Sequence, residues 1–199
     1  MTSLKKNLQV ALYTGPGAEK IKDVERAIRN RVPYHLINAS EVRNGVLDNY
    51  KLLIMSGGYT AHYIPNLKPK GCESIKDFLY RGGRYLGICA GAYIAATPEL
   101  GITKSKMIRK SGIFNCEIKI QDLTHPIFRG INKSTLIVYY QNGPHIVQKE
   151  KGEKSLAFYV DGTASVIETL HALIFSWHPE KLPHTIPILL KSIKYLIER

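Results

Sequence analysis

A cysteine at a predicted turn between a strand and a helix is the residue of this chain best placed to do chemistry. Cys89 directly follows the strand-like run Tyr85–Ile88, and Gly87 and Gly91 flank it two positions away on either side. Such a turn needs glycine there, because a β-carbon would meet the adjacent chain. The backbone N–H of Ala90 and the start of the next helix would face the sulfur, which favours thiolate and can hold an oxyanion. The spacing predicts a nucleophile elbow; the alternative is an inert, buried cysteine.

A histidine and a glutamate at the end of a second apolar run are the candidate partners of this cysteine. His178 and Glu180 follow the strand-like run 173–177, with a proline between them. Two residues separated by one in an extended segment can reach the same side, so Glu180 could orient the imidazole of His178. The three residues lie in separate parts of the sequence, as expected when folding assembles a site. We predict that Cys89, His178 and Glu180 are catalytic.

Two glycine-containing turns are expected beside the elbow. The segment 14–17 follows the first predicted strand, and Gly57 and Gly58 follow the third. Ligands of open α/β sheets bind beyond the carboxyl ends of the strands, so these turns are expected to meet there. Because glycine permits a close backbone approach, the N–H of Gly58 could complete an oxyanion hole with that of Ala90. The alternative is that both are ordinary turns between a strand and a helix.

The order of predicted elements indicates an α/β fold. In the first half, strand-like runs at 8–13, 34–37, 51–55 and 84–88 alternate with helical patterns at 19–29 and 75–81, which predicts a parallel sheet. The second half has short strand candidates at 113–120, 134–140, 155–160, 165–169 and 171–177, and a closing amphipathic helix at 185–197. We therefore predict one domain over residues 1–199. Its fold would be a flavodoxin-like three-layer sandwich with a mostly parallel central sheet, a nucleophile elbow and an antiparallel strand extension in the second half.

Composition and charge limit the classes of function. Hydrophobic residues make up 44% of the 199 residues and charged residues 22%, which is ordinary for a globular protein. The excess of 28 basic over 16 acidic residues, a net charge of +12, raises the hypothesis of nucleic-acid binding. The basic residues are scattered through predicted loops with no aromatic stacking platform among them. A solvated basic surface is therefore expected rather than a nucleic-acid partner, although it could attract an anionic substrate.

The cysteines and the apolar runs indicate the expected environment. Cys72, Cys89 and Cys116 are widely spaced and form no Cys-x-x-Cys pair, which argues against a disulfide framework and a zinc site. Zinc hydrolysis through His178 and Glu180 also lacks the Pro-Cys-x-x-Cys segment of the deaminases. No signal-peptide core and no membrane-length apolar stretch are found. We expect a cytoplasmic protein with a small-molecule substrate, no cofactor and no membrane partner; a homodimer is left open.

In this order, the motifs resemble the class I glutamine amidotransferase-like superfamily. Within it they are most similar to the N-terminal domain of eukaryotic biotin-protein ligases, which also occurs as a stand-alone protein. The segments that carry the resemblance are 15–17, 56–58, 82–93, 139–144 and 178–180. The resemblance implies a triad of Cys89, His178 and Glu180, with the backbone of Gly58 and Ala90 as the oxyanion hole. Cys89 would attack a carboxamide or acyl carbon, His178 would transfer the proton to the leaving amine, and water would hydrolyse the thioester.

The chain departs from the glutaminase pattern at one position. Glutaminase members carry a glutamine two residues after the second elbow glycine, where this chain has Tyr93, and no synthase domain or adenylation motif is found. Substrate binding is expected at Gly57, Tyr59, Tyr93, Tyr140 and Asn142, although paired tyrosines on a strand are also typical of packing. Two hypotheses follow. One is a thiol-dependent amidohydrolase or amidotransferase-like protein with a small amide or acyl substrate; the other is a non-catalytic ligand-binding or regulatory domain related to the biotin-protein ligase N-terminal domain.

Overall fold

One mixed sheet of eleven strands runs through the part of the chain that the structure describes. The structure is a computed structural model and describes residues 9–148 and 151–199. The strands are β1 (Val10–Tyr13), β2 (His35–Ile37), β3 (Leu52–Met55), β4 (Arg84–Ile88), β5 (Lys106–Arg109), β6 (Ile113–Ile120), β7 (Thr135–Gln141), β8 (Pro144–Gln148), β9 (Lys154–Tyr159), β10 (Ala164–Glu168) and β11 (Ala172–Phe175). The helices are α1 (Ile21–Ile28), α2 (Ala39–Arg43), α3 (Thr60–Leu67), α4 (Lys70–Tyr80), α5 (Ala90–Ala95) and α6 (Ile186–Glu198), with short 3-10 turns at Val46–Asn49 and Pro126–Phe128.

The strand order brings the two halves of the chain together in the middle of the sheet. The order is β2-β1-β3-β4-β11-β10-β9-β6-β7, and β8 pairs with both β5 and β10. The pairs among β2, β1, β3, β4 and β11 are parallel. The other pairs are antiparallel. The predicted fold, a mostly parallel central sheet with an antiparallel extension, is confirmed.

The sheet has a hydrophobic core on each face, which makes three layers. Val10 and Leu12 of β1 pack with the buried sides of α1 and α6. Ala11 and Tyr13 point to the opposite face and pack with α2, α3, α4 and α5. Coverage on both faces explains why the sequences of β1, β3 and β11 are continuous apolar runs. No helix in residues 9–148 or 151–199 has the length and apolar content needed to cross a bilayer.

Some elements were not predicted, for physical reasons. The start of the first predicted strand, at residue 8, lies outside the described residues. α3 contains Pro65, a residue that disfavours a helix interior. α2 is only five residues long, although a capping box between Asn38 and Glu41 marks its start. β5 is largely exposed and lacks an alternating pattern, so neither it nor its partner β8 was predicted.

The buried carboxylate of Glu168 fixes α6 to the sheet. It lies at the end of the sheet that contains the amino ends of the parallel strands. Glu168, the last residue of β10, is 4% exposed and accepts a hydrogen bond of 2.6 Å from the Tyr195 hydroxyl. The guanidinium of Arg199 pairs with the same oxygen, and Nε2 of His125 lies 3.6 Å from the other. Burial raises the pKa of Glu168, but the neighbouring His125 ring, the hydrogen bond from Tyr195 and the charge of Arg199 outweigh burial and lower the pKa to about 2.

Replacing this carboxylate should destabilise the protein in a pH-dependent way. Because the pKa of Glu168 is lowered in the folded state, its contribution is fully present above the unfolded pKa and is lost as the pH falls toward 2. We expect Glu168→Gln to reduce the free energy of unfolding by about 2 kcal/mol at pH 7, and by much less at pH 3. Urea unfolding at both pH values measures this, with Glu117→Gln, at an exposed position of β6, as the control. An equal loss of unfolding free energy in Glu168→Gln at both pH values would contradict this role of the charged carboxylate.

Candidate active site

The elbow holds Cys89 in a strained backbone conformation. Cys89 lies between β4 and α5 with φ 53° and ψ −101°, a region that residues with a β-carbon rarely occupy and that costs on the order of 1–3 kcal/mol. Two hydrogen bonds fix the turn: the Cys89 N–H donates to the Phe175 carbonyl at 2.9 Å, and the Gly91 N–H donates to the Ser56 carbonyl at 3.3 Å. A β-carbon on Gly91 would overlap the carbonyl oxygen of Met55. Glycine is therefore required where α5 packs onto β3.

The segment after β11 carries a buried histidine paired with a buried glutamate. His178 Nδ1 is 2.7 Å from Oε1 of Glu180, and the two side chains are 1% and 0% exposed. The N–H of His178 donates to the Tyr139 carbonyl at 3.0 Å. The Thr185 hydroxyl donates to the Pro179 carbonyl at 2.9 Å, which fixes the segment between the pair. Within the described residues, Nε2 of His178 is buried and has no hydrogen-bond partner.

The charges around His178 favour the imidazolium. Burial lowers the pKa of His178, but the Glu180 carboxylate and the nearby Cys89 sulfur outweigh burial and raise this pKa to about 10. A pKa raised in this direction favours the protonated ring.

The Gly57 turn passes directly over these side chains. A β-carbon on Gly57 would lie 2.6 Å from Cε1 of His178, 3.5 Å from Cβ of Cys89 and 3.2 Å from Cγ of Lys20. These three side chains therefore surround one point at the carboxyl ends of the strands. Only a residue without a side chain leaves this space free.

Two backbone amides beside Cys89 make no hydrogen bond to other backbone groups of the described chain. Ala18 and Gly58 form an isolated antiparallel bridge, in which the bonds run from Tyr59 N–H to Gly17 O and from Glu19 N–H to Gly57 O. This pattern leaves the Gly58 amide directed away from the bridge. The Ala90 amide is the first of α5, where a helix supplies no acceptor. Both amides are available to an anion.

The structure separates the residues predicted to bind substrate. Gly57 lies at the point just described, and the Tyr59 side chain is 60% exposed at the start of α3. The Tyr93 hydroxyl donates to the Asn142 carbonyl at 3.3 Å, and the Asn142 side chain accepts from the Gly112 N–H at 2.7 Å. Tyr140 is fully buried in the core, where its hydroxyl donates to the Gly143 carbonyl at 2.8 Å. Its placement matches the packing alternative rather than a substrate contact.

Sequence reasoning missed three contacts of the site. The Cys89 sulfur lies 3.3 Å from the Gln141 carbonyl oxygen, the Tyr139 ring meets the His178 ring edge-on at 5.9 Å, and Lys20 reaches Gly57. Gln141 acts through its backbone, so no side-chain pattern could reveal it. Among the described residues, no three His, Cys, Asp or Glu side chains are grouped to hold a metal ion.

Known proteins resemble this chain in two ways. Residues 8–103 match the model of the family described as biotin-protein ligase, N terminal. The biotin-protein ligase of Schizosaccharomyces pombe is 31% identical over 97 residues, which are 45% of this chain and only 15% of the ligase. The structure of PurLQS from Thermotoga maritima aligns with a TM-score of 0.76 and 17% identity, covering 96% of this chain and 99% of the other. A structure of a glutamine amidotransferase aligns with a TM-score of 0.75 and 16% identity, covering the same shares.

These comparisons confirm the resemblance predicted from the motifs. The first half of the chain resembles the biotin-protein ligase N-terminal domain in sequence, and nearly the whole chain has the fold of class I glutamine amidotransferases. The sequence match includes Cys89 but ends before His178 and Glu180. At these identities the structural likeness shows the fold alone.

Removing the carboxylate beside His178 should change the charge of the ring. In Glu180→Gln the opposing charge is lost while burial remains, so we expect the pKa of His178 to fall and the ring to be neutral at pH 7. Nitrogen-15 NMR of the histidine side chains over pH 5–9 measures this, with Glu117→Gln as the control. An imidazolium that persists at pH 7 in Glu180→Gln would show that Glu180 is not what stabilises the charge.

Proposed function

We propose that this chain, which resembles the biotin-protein ligase N-terminal domain over residues 8–103 and has the glutamine amidotransferase fold, is a thiol-dependent amidohydrolase or amidotransferase-like protein. Its substrate is a small amide or acyl compound. The observation that carries the proposal is the strained Cys89 at the elbow beside a His178 ring that Glu180 holds at 2.7 Å. Strain of this kind persists only where the surrounding structure enforces it, and it concentrates at functional sites.

In the proposed reaction the Cys89 sulfur attacks the acyl carbon of the substrate. The carbon–sulfur bond forms and the carbon–nitrogen bond breaks, while the His178 imidazolium gives its proton to the leaving amine. The neutral ring then takes a proton from water, and the resulting hydroxide cleaves the thioester and regenerates the thiolate. Glu180 holds the ring orientation and stabilises its charged form. The pKa of His178, raised to about 10, fits the role of proton donor at neutral pH.

The amides of Gly58 and Ala90 are proposed to bind the oxyanion. As the tetrahedral intermediate forms, negative charge develops on the former carbonyl oxygen, and two N–H groups without other acceptors can stabilise it. A thiolate has no proton to share with the Gln141 carbonyl, so ionised Cys89 is expected to turn away from that oxygen. Gly57, Tyr59, Tyr93 and Asn142 remain the proposed surroundings of the substrate, which is not glutamine itself, because Tyr93 replaces the glutamine of the glutaminases.

A second candidate is a non-catalytic ligand-binding or regulatory domain. Two observations favour it: the sequence match is to a segment that makes up 15% of a biotin-protein ligase, and the hydroxyl of Tyr93 is bonded to Asn142 rather than free. In that case the same cleft would recognise a ligand without forming a covalent intermediate. The reactivity of Cys89 distinguishes the two candidates, because only catalysis requires an activated thiol.

The test is the rate of Cys89 alkylation by iodoacetamide against pH, resolved by mass spectrometry. Burial raises the pKa of Cys72 and raises that of Cys116 to about 11, so both serve as slow internal references. We expect Cys89 to react selectively at neutral pH and His178→Asn to slow it about 100-fold. His62→Asn, at an exposed position of α3, is the matched control. Slow labelling of Cys89 that is indifferent to His178 would refute the enzyme proposal in favour of the binding domain.

A further inference from the structure

The start of α1 is tied to the turn that covers Cys89. Lys20 is the residue just before α1, and its backbone N–H donates to the Gly57 carbonyl at 3.0 Å. The N–H of Glu19 donates to the same oxygen at 3.1 Å. These bonds fix the backbone of Lys20 relative to the Gly57 turn.

The side chain of Lys20 extends over the same point as the candidate catalytic residues. Its Cγ lies 3.2 Å from the position that a β-carbon on Gly57 would take, a position 3.5 Å from Cβ of Cys89 and 2.6 Å from the His178 ring. Two methylene groups and the ammonium lie beyond Cγ, so the charge can reach a group that is attached to an acyl carbon at Cys89. The half-buried stem packs along the turn, as lysine stems commonly do beside apolar surface.

Two carboxylates of the segments around Lys20, those of Asp23 and Glu180, are engaged by other cations. Asp23 pairs with Lys181 at 2.7 Å and with Arg26 at 3.4 Å, and Glu180 is buried against His178. In the described residues, no carboxylate lies within ion-pair distance of the Lys20 ammonium. A cation that has no ion-pair partner and can extend toward the reacting atoms attracts an anionic group of the substrate.

We propose that Lys20 determines specificity by binding a carboxylate of the substrate while the amide or acyl carbon meets Cys89. This inference rests on the proposed function and names its substrate class: small amides or acyl compounds that carry a carboxylate close to the reacting carbon. A carboxylate fits better than a phosphate, because the amides of Glu19 and Lys20 are already bonded to Gly57 and cannot cradle a phosphate. A single ammonium also matches a single negative charge.

The test compares two alkylating reagents that differ in charge but not in size. Iodoacetate carries a carboxylate where iodoacetamide carries a neutral amide, and both react with the sulfur of Cys89. In Lys20→Met we expect the iodoacetate rate to fall roughly three- to tenfold and the iodoacetamide rate to stay unchanged. Lys20→Arg should retain most of the iodoacetate rate, and Lys22→Met, at an exposed position of the same helix, should change neither.

The ratio of the two rates separates this inference from the proposed function. An unchanged ratio in Lys20→Met, whether both rates fall together or neither does, would overturn the role of Lys20. An equal drop in the ratio for Lys22→Met would overturn it too, because only the general surface charge would then matter. Slow iodoacetamide labelling that His178→Asn does not change would refute the enzyme proposal instead. In that case the ratio of the iodoacetate rate to the iodoacetamide rate at Cys89 can still be measured, so the two tests stay separate.

Discussion

The parallel pairing of β4 with β11 is the interaction on which the rest of the site depends. Ile88 lies opposite Phe175 in that pair, and the Cys89 N–H continues the ladder by bonding to the Phe175 carbonyl. Because both strands end at the same level, the residues that follow them emerge side by side. A slip of one residue in this register would turn the side chains of one strand to the opposite face, and His178 would no longer lie beside Cys89. Burial on both faces of these strands fixes that register.

The backbone strain at Cys89 remains in the folded protein. The packing around the turn offsets its energetic cost. The turn is bonded on one side to β11 and on the other to Ser56 after β3. Behind it, α5 lies so close to β3 that Gly91 has no room for a side chain. The side chains of α5 belong to the core shared with α2, α3 and α4. The conformation of one buried cysteine is therefore determined by the three strands and the helix that surround it.

The sequence predicted the parts of the site that depend on local spacing. The glycines around Cys89 and the segment 178–180 each concern the local backbone geometry of a few consecutive residues. Residue types predict such local geometry well. Tyr140 shows that local spacing does not predict which side chain faces the site. Tyr139 and Tyr140 are adjacent and chemically identical, yet Tyr140 pairs with Phe114 and points into the core, while Tyr139 meets His178. Which tyrosine faces the site is decided by the elements that cover each face. Lys20 was missed for the same reason, because its position matters only once the Gly57 turn lies beneath it.

The sequence match to the biotin-protein ligase family ends at residue 103, and the sheet shows what that boundary means physically. The matched segment supplies the parallel strands only as far as β4, a strand whose apolar side chains are buried on both faces. Without β11 beside it, β4 would be an edge strand with open backbone hydrogen-bonding groups, a surface that promotes aggregation. The second half of this chain therefore contributes a strand of the central sheet as well as His178. It supplies the strand that pairs with this edge of β4.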